Sequence, residues 1–494
     1  MTGTETGVGG LARDVLTTLL PGFAGTRLPG WVRERLAEGL GGVCVFGPNI
    51  ASADQLASVN AEITAANPLA VIAIDEEGGD VTRLFYDVGA PYPGNAVLGR
   101  IDDPAYTEAI GRRVGEALRA SGCTLAFAPD VDINSNPDNP VIGTRSFGTD
   151  PELVARHAAA WTRGLQSTGV SASAKHFPGH GDTDADSHVA LPVVDRSADE
   201  LAARELVPFR AAIDAGVRTV MTSHILLPQL DAEHPATLSA RVVRLLRAES
   251  GFEGVVVSDA LDMHGASGVH GIPEAAVRAL AAGCDLLCIG TDTTEDLLDA
   301  IVAAVHDAIA GGRLPAERVA DAAGRVRALA GPAPEQRASG APAPVDHGAE
   351  LARIAASFEV SGTARERLAR GGAPATLVRL ESAANIAVGV APWGPPAEAC
   401  DDVVTVREGD APLPASALRG PVLVVGRDVH RHAFARACVD ALRAVREDVV
   451  VVDMGWPGVD RAYADVATFG GSRLVGEALL RAIEAASRNP VAAA

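Results

Sequence analysis

Val170-Ser171-Ala172-Ser173-Ala174-Lys175-His176-Phe177-Pro178-Gly179-His180-Gly181-Asp182, running on through Thr183-Asp184-Ala185-Asp186-Ser187-His188, is the stretch on which the fold turns. Val170 to Ala174 reads as a short buried strand, and Pro178, Gly179 and Gly181 then break any regular element. Lys175 to His188 holds three histidines, one lysine and three aspartates, in a chain otherwise dominated by alanine, valine and leucine. A strand that ends in titratable groups and opens into a glycine-bearing loop is how a barrel of parallel strands displays its chemistry.

The same grammar repeats to either side. Apolar runs at 15–20, 42–46, 70–74, 124–129, 170–174, 218–222, 254–258 and 285–289 are bounded by Gly, Pro, Asp or Asn. Each is almost continuously hydrophobic, as strands buried on both faces should be. Helical spacing fills the gaps, at 53–66 behind Ser52 as N-cap, at 104–121, and at 151–167 behind Asp150. Eight strands alternating with helices fit a (β/α)8 barrel or a doubly wound open sheet. The polar residues favour the barrel. Asp75 with Glu76 and Glu77, Asp130 with Asp132, Lys175 with His176, Ser223 with His224, Asp259 and Asp292 each close an apolar run. Such groups converge on one point only if the strands form a ring.

A Pro/Ala/Gly-rich stretch over 332–348 reads as a semi-rigid linker between a barrel at 1–331 and a second domain at 349–494. That domain, an α/β layered (αβα sandwich) unit, has strand-like runs at 375–379, 386–390, 403–406, 421–425 and 448–454, and a helix at 430–444. It carries no dinucleotide fingerprint, because Gly426 stands alone.

Bulk properties exclude several classes. A net charge of −21 opposes nucleic acid or an anionic membrane as partner. Six cysteines with no C-x-x-C pair suggest buried thiols in a reducing compartment. Residues 1–10 lack a basic n-region and an apolar h-region, and no run of eighteen apolar residues occurs. A cytoplasmic protein, monomer or homodimer, with no metal and no cofactor is expected.

Carboxylates, histidines and a ring of charged hydrogen-bonding groups suit acetal hydrolysis, in which one carboxylate attends the anomeric carbon and a second group protonates the leaving oxygen. Sugar hydroxyls also call for the donors and acceptors that Asp, Arg, Lys and His supply. Lys175-His176-Phe177-Pro178-Gly179-His180-Gly181 with Asp186-Ser187-His188, and Val257-Ser258-Asp259-Ala260-Leu261, resemble glycoside hydrolase family 3, most of all its β-N-acetylglucosaminidase branch. More loosely, Met454-Gly455-Trp456-Pro457 and Ala467-Thr468-Phe469-Gly470 extend the likeness into the second domain.

That resemblance implies a retaining exo-β-N-acetylglucosaminidase acting on a small oligosaccharide or glycoside. Asp259 would be the nucleophile, and His188 the acid/base, tuned by Asp186. Asp75, Arg145, Lys175 and His176 would bind the hydroxyls of the non-reducing sugar. A histidine titrating near 6.5 can give and take a proton near neutral pH. A neutral acid/base repels an incoming anion less than a carboxylate would, so phosphorolysis of an N-acetylglucosaminide is an alternative to hydrolysis, as is mixed β-glucosidase activity. Two departures, Asp80 after the Gly-Gly pair and Phe46-Gly47-Pro48-Asn49 after the second run, argue against a cell-wall muropeptide as substrate. Two other readings are a metal-dependent barrel hydrolase using His176, His180, Asp182, His188 and His224, and a non-catalytic sugar-binding protein.

Overall fold

The structure, a computed structural model, describes residues 4–183, 191–268, 270–330, 346–371, 374–383, 385 and 387–488. The chain divides into two compact units. The first is Met1–Glu77, Pro104–Ile142 and Gly148–Gly340; the second is Gly78–Asp103, Gly143–Phe147 and Ala341–Ala494.

In the first unit the apolar runs become β1 (Leu19–Pro21), β2 (Gly42–Val45), β3 (Val71–Ile74), β4 (Leu125–Ala126), β5 (Ser171–Phe177), β6 (Thr219–Thr222), β7 (Val255–Ser258) and β8 (Leu286–Gly290). All the ladders are parallel, in the order β1-β8-β7-β6-β5-β4-β3-β2. The two ends of that order are consecutive in the chain, as a (β/α)8 barrel requires. The approaches to β1 and β2 are tied together by Gly41, whose N–H donates to the Leu16 carbonyl at 3.0 Å. A Cβ on Gly41 would stand 2.1 Å from the Thr17 carbonyl oxygen, so only glycine fits this seam.

Leu20, Cys44, Val71, Ala73, Leu125, Phe127, Met221, Val255, Val257, Leu286 and Cys288, drawn from the strands and their margins, share one buried core. Burying an aliphatic side chain of this kind contributes about 1.5–3 kcal/mol. The expected helix caps are present: the Ser52 hydroxyl accepts from Gln55 N ahead of Ala53–Ala66, and Asp150 accepts from Glu152 N and Leu153 N ahead of Pro151–Gln166.

Three barrel strands differ from the expected bounds: β4 is only Leu125–Ala126 of 124–129, β5 runs beyond 174 through Lys175 and His176 to Phe177, and β1 starts later than the run at 15–20. Residues 15–17 belong to the helix Thr4–Thr17, and β1 is Leu19–Pro21. Val15 and Leu16 are buried from the helix, so a single apolar run crosses a helix end and a strand start, and hydrophobicity does not change at the boundary.

The second unit contains β9 (Glu359–Val360), β10 (Thr376–Glu381), β11 (Asp402–Arg407), β12 (Val422–Gly426), β13 (Val449–Asp453) and β14 (Val466–Ala467). The order is β11-β10-β12-β13-β14-β9, parallel throughout except for the β14–β9 pair. Alternate residues serve opposite faces, as a pleated strand demands. Leu377, Leu423, Val425, Val450 and Val452 pack with Leu351, Ile354, Leu474 and Leu479 of the helices His347–Ala356 and Arg473–Arg488. Val378, Leu380, Val422, Val424, Val449 and Val451 pack with Val439 and Leu442 of Ala433–Arg443. The result is an αβα sandwich. The expected strand at 386–390 is a turn in its described residues: Gly389 N–H donates to the Asn385 carbonyl at 2.9 Å, Gly389 has φ +73°, and Val390 is 73% exposed. A short apolar run in a surface loop has no partner strand to bury it.

Two segments that follow barrel strands in sequence belong to this second unit. The Asn95 amide donates to the Arg145 carbonyl at 2.6 Å, and Asp80 accepts from the Thr144 hydroxyl at 2.7 Å and from Gly471 N at 2.8 Å. Asp80, the sequence departure, therefore acts as a tie within the unit.

Candidate active site

In a parallel barrel every strand ends at the same rim, so the polar residues that close the runs gather there. β5 supplies the densest set. The Lys175 ammonium lies 2.8 Å from Asp75 Oδ1 and 2.8 Å from Glu77 Oε1, with 3% of its side chain exposed. A cation this enclosed is tolerable only with carboxylates beside it, and the end of β3 provides two.

Next along β5, His176 Nδ1 is 2.7 Å from Asp132 Oδ2, while Asp132 Oδ1 accepts from His180 N at 2.7 Å and His176 N at 3.3 Å. Asp130 Oδ1 in turn accepts from Asp132 N at 2.9 Å. Burial pushes the Asp132 carboxyl up, but the charges of His176 and His180 and the hydrogen bonds from both residues outweigh it and hold the group below its usual value. An ionised Asp132 fixes the tautomer and the plane of His176, as a carboxylate does for any imidazole it accepts from.

Asp259 follows β7 and is half-buried, with Oδ1 accepting from Ala260 N at 2.8 Å. Its loop is held by three hydrogen bonds, one from beyond β6 and two from β8. His224, fully buried after β6, bonds through Nε2 to the Ala260 carbonyl at 2.9 Å; the Ser258 hydroxyl accepts from Cys288 N at 3.0 Å; Leu261 N donates to the Cys288 carbonyl at 2.9 Å. His224 thus positions the Asp259 loop. Asp292, after β8, is exposed.

Of the site residues expected from sequence, Asp75, Lys175 and His176 come together at the ends of β3 and β5, and Asp259 stands at the end of β7. Arg145 is buried in the second unit, on the one-turn helix Gly143–Arg145. Asp186 and His188 lie outside the described residues. Sequence reasoning did not single out Glu77 or Asp132 as partners. Their signal was available: Glu77 lies two residues after Asp75, and Asp132 two after Asp130, and alternate residues of an extended segment share a side.

Of the ligand set in the metal reading, His188 lies outside the described residues. His180 Nδ1 is 2.8 Å from the Thr183 hydroxyl, Asp182 pairs with Arg196 and Arg204, and His224 bonds to a carbonyl. Among the described residues, the group with spacing suited to a cation is Asp130, Asp132 and His176, whose candidate ligand atoms lie within 4.8 Å of one another. The hydrogen bond inside that group already uses His176 Nδ1. Asn49, the second sequence departure, is structural: its amide donates to the Phe23 and Gly25 carbonyls and accepts from Phe46 N.

A (β/α)8 barrel with a carboxylate, a lysine–carboxylate cluster and a carboxylate–histidine pair at its strand ends has the outline of a barrel hydrolase. The family described as "Glycosyl hydrolase family 3 N terminal domain" matches residues 31–329, and the chain belongs to that family and is a glycoside hydrolase. It is 39% identical over 287 residues to a beta-hexosaminidase of Stenotrophomonas maltophilia, covering 55% of this chain and 82% of that protein. A family 3 beta-N-acetylglucosaminidase structure from Paenibacillus sp. matches at 31% identity and a TM-score of 0.82, covering 97% of both chains. NagZ from Neisseria gonorrhoeae in complex with N-trifluoroacetyl-D-glucosamine matches at 34% identity and a TM-score of 0.51, covering 64% of this chain and 98% of that one.

Proposed function

We propose that the protein is a retaining exo-β-N-acetylglucosaminidase that removes a terminal β-linked N-acetylglucosamine through a covalent glycosyl-aspartate. The observation that carries this reading is the likeness along 97% of the chain to a family 3 beta-N-acetylglucosaminidase. The rim chemistry supports it. Lys175, paired with Asp75 and Glu77, and His176, oriented by Asp132, form a rigid polar floor suited to sugar hydroxyls.

In the first half-reaction the Asp259 carboxylate attacks the anomeric carbon while His188, oriented by Asp186, protonates the departing oxygen. In the second, His188 takes a proton from water as the water displaces Asp259 and restores the carboxylate. Phosphate in place of water would release a sugar phosphate from the same intermediate. A cytoplasmic setting belongs to the same reading and is consistent with six free cysteines, four of them buried and two half-buried. No helix among the described residues is long and apolar enough to cross a membrane.

Aryl N-acetyl-β-glucosaminides and aryl β-glucosides, assayed side by side with and without phosphate, test the proposal. Cleavage of the N-acetylglucosaminide at least tenfold faster, releasing free sugar with retained configuration, is the expected result. Faster glucoside cleavage or an inverted product would overturn it, and a sugar phosphate as main product would replace water as the acceptor.

A further inference from the structure

The second unit holds a cavity of about 460 Å³ whose lining includes Arg379, Glu381, Ser382, Trp393, Arg427 and Arg473. Its place in the sheet is informative. The order β11-β10-β12-β13-β14 means that the chain leaves β10 to one side, forms β11, then crosses back to form β12 on the other side. The carboxyl ends of β10 and β12 therefore flank the topological switch point, where open α/β sheets bind ligands. Glu381 and Ser382 stand at the end of β10, and Arg427 follows β12 directly.

The charge of the lining is unusual for a chain with a net charge of −21. The Arg379 guanidinium donates to the Trp393 and Pro395 carbonyls and lies 4.9 Å from the Trp393 ring centre; the Arg427 guanidinium lies 4.7 Å from the same ring. The indole N–H donates to Glu381 at 2.8 Å, and Arg473 pairs with Glu477 at 2.8 Å. Among the described residues Arg427 forms no ion pair. Burial, opposed by Glu381 and reinforced by Arg427, lowers the Arg379 pKa, so like charges are crowded here without a full set of carboxylates. Arg473 also opens the 16-residue helix Arg473–Arg488, whose amino end favours negative charge.

We propose that this cavity binds a small anionic sugar, a monosaccharide carrying a phosphate or a carboxylate. Guanidinium groups read both anions through paired N–H donors. The volume falls within the range of small-molecule sites, and Glu381 and Ser382 offer acceptors for hydroxyls. This inference does not rest on the hydrolytic reading of the barrel.

Isothermal titration calorimetry of the full chain with glucose 6-phosphate, glucuronate and neutral glucose provides the test. Saturable 1:1 binding of at least one anionic sugar is expected, with no heat from glucose and weaker binding as salt rises. Whichever anionic sugar binds identifies the group recognised. Arg427→Glu should raise the Kd at least tenfold while turnover of the aryl glycoside is kept, with an unchanged circular dichroism melt reporting on folding. Arg427→Gln repeats the comparison if the charge reversal unfolds the domain. No heat from either anion, or unchanged affinity in a folded Arg427 variant, would overturn the proposal. The aryl glycoside assay does not read this cavity, so failure here and failure of the proposed hydrolysis are separable.

Discussion

Asp132 and Asp259 are both strand-end aspartates, yet their surroundings assign them different tasks. Asp132 is enclosed and accepts from an imidazole and two backbone N–H groups, so its charge is held in place. A carboxyl held below its usual pKa adds stability above the unfolded-state value and loses it as pH falls through the native one. Asp259 is half-buried, accepts from its own loop, and stands on a backbone braced by His224 and Ser258. That suits a group that must meet substrate. Asp259→Ala should lower kcat on the order of 10⁴–10⁶-fold, as loss of a nucleophile does, with an unchanged circular dichroism spectrum. Near-normal kcat would remove it from the nucleophile's role. His188→Ala should slow substrates with poor leaving groups on the order of 100-fold more than activated aryl glycosides, since only the former need protonation. Equal losses on both series, read from a plot of rate against leaving-group pKa, would count against His188 as the acid.

At the scale of elements, the barrel's strands are secured at both ends. Where β8 begins, Asp285 accepts from Val256 N at 2.9 Å and pairs with Arg247 and Arg318. Burial pushes this carboxyl up despite both guanidiniums, a sign of how deeply it is enclosed. Asp285→Ala would leave two arginines gathered around an absent partner and β7 short of a hydrogen bond. The expected cost is about 3 kcal/mol, at the low end for a broken buried pair because the arginines keep some access to water. The urea midpoint should fall accordingly; a loss under about 1 kcal/mol would show that the cluster is dispensable. Elements were mostly legible in the sequence, as the caps at Ser52 and Asp150 illustrate. The exceptions have physical causes. Residues 15–17 are helical because one apolar run serves both a helix and the next strand, and 387–390 form a turn because no neighbouring strand takes up the run.

For the whole molecule, pH acts on the second unit through Asp428. The residue is partly exposed, yet burial of its carboxyl and the neighbouring Asp453 push the pKa up to about 6. The native state then holds this proton more tightly than the unfolded chain, whose value is near 3.9. Stability from this group is therefore greatest below the unfolded value and falls as pH rises towards 6, by on the order of 1–3 kcal/mol. Asn keeps an acceptor for Trp456 N and tolerates the left-handed backbone at this position (φ 50°). Asp428→Asn should raise Tm at pH 7.5 and lose most of that advantage at pH 4.5. An identical Tm difference at both values would show that the carboxyl is not the cause.

The residues alone determined that strands and helices would alternate, that a second layered domain would follow, and that Asp75, Lys175, His176 and Asp259 would stand at strand ends. These are local matters, written in hydrophobic period and in where polar groups interrupt it. Only the tertiary structure decided which charges meet. His176 finds Asp132 across 44 residues of chain and Lys175 finds Asp75 across 100, while the segments 78–103 and 143–147 group with the second unit. Periodicity reports what lies within a few residues, whereas a buried ion pair forms only where strand closure brings distant charges together and removes the water between them.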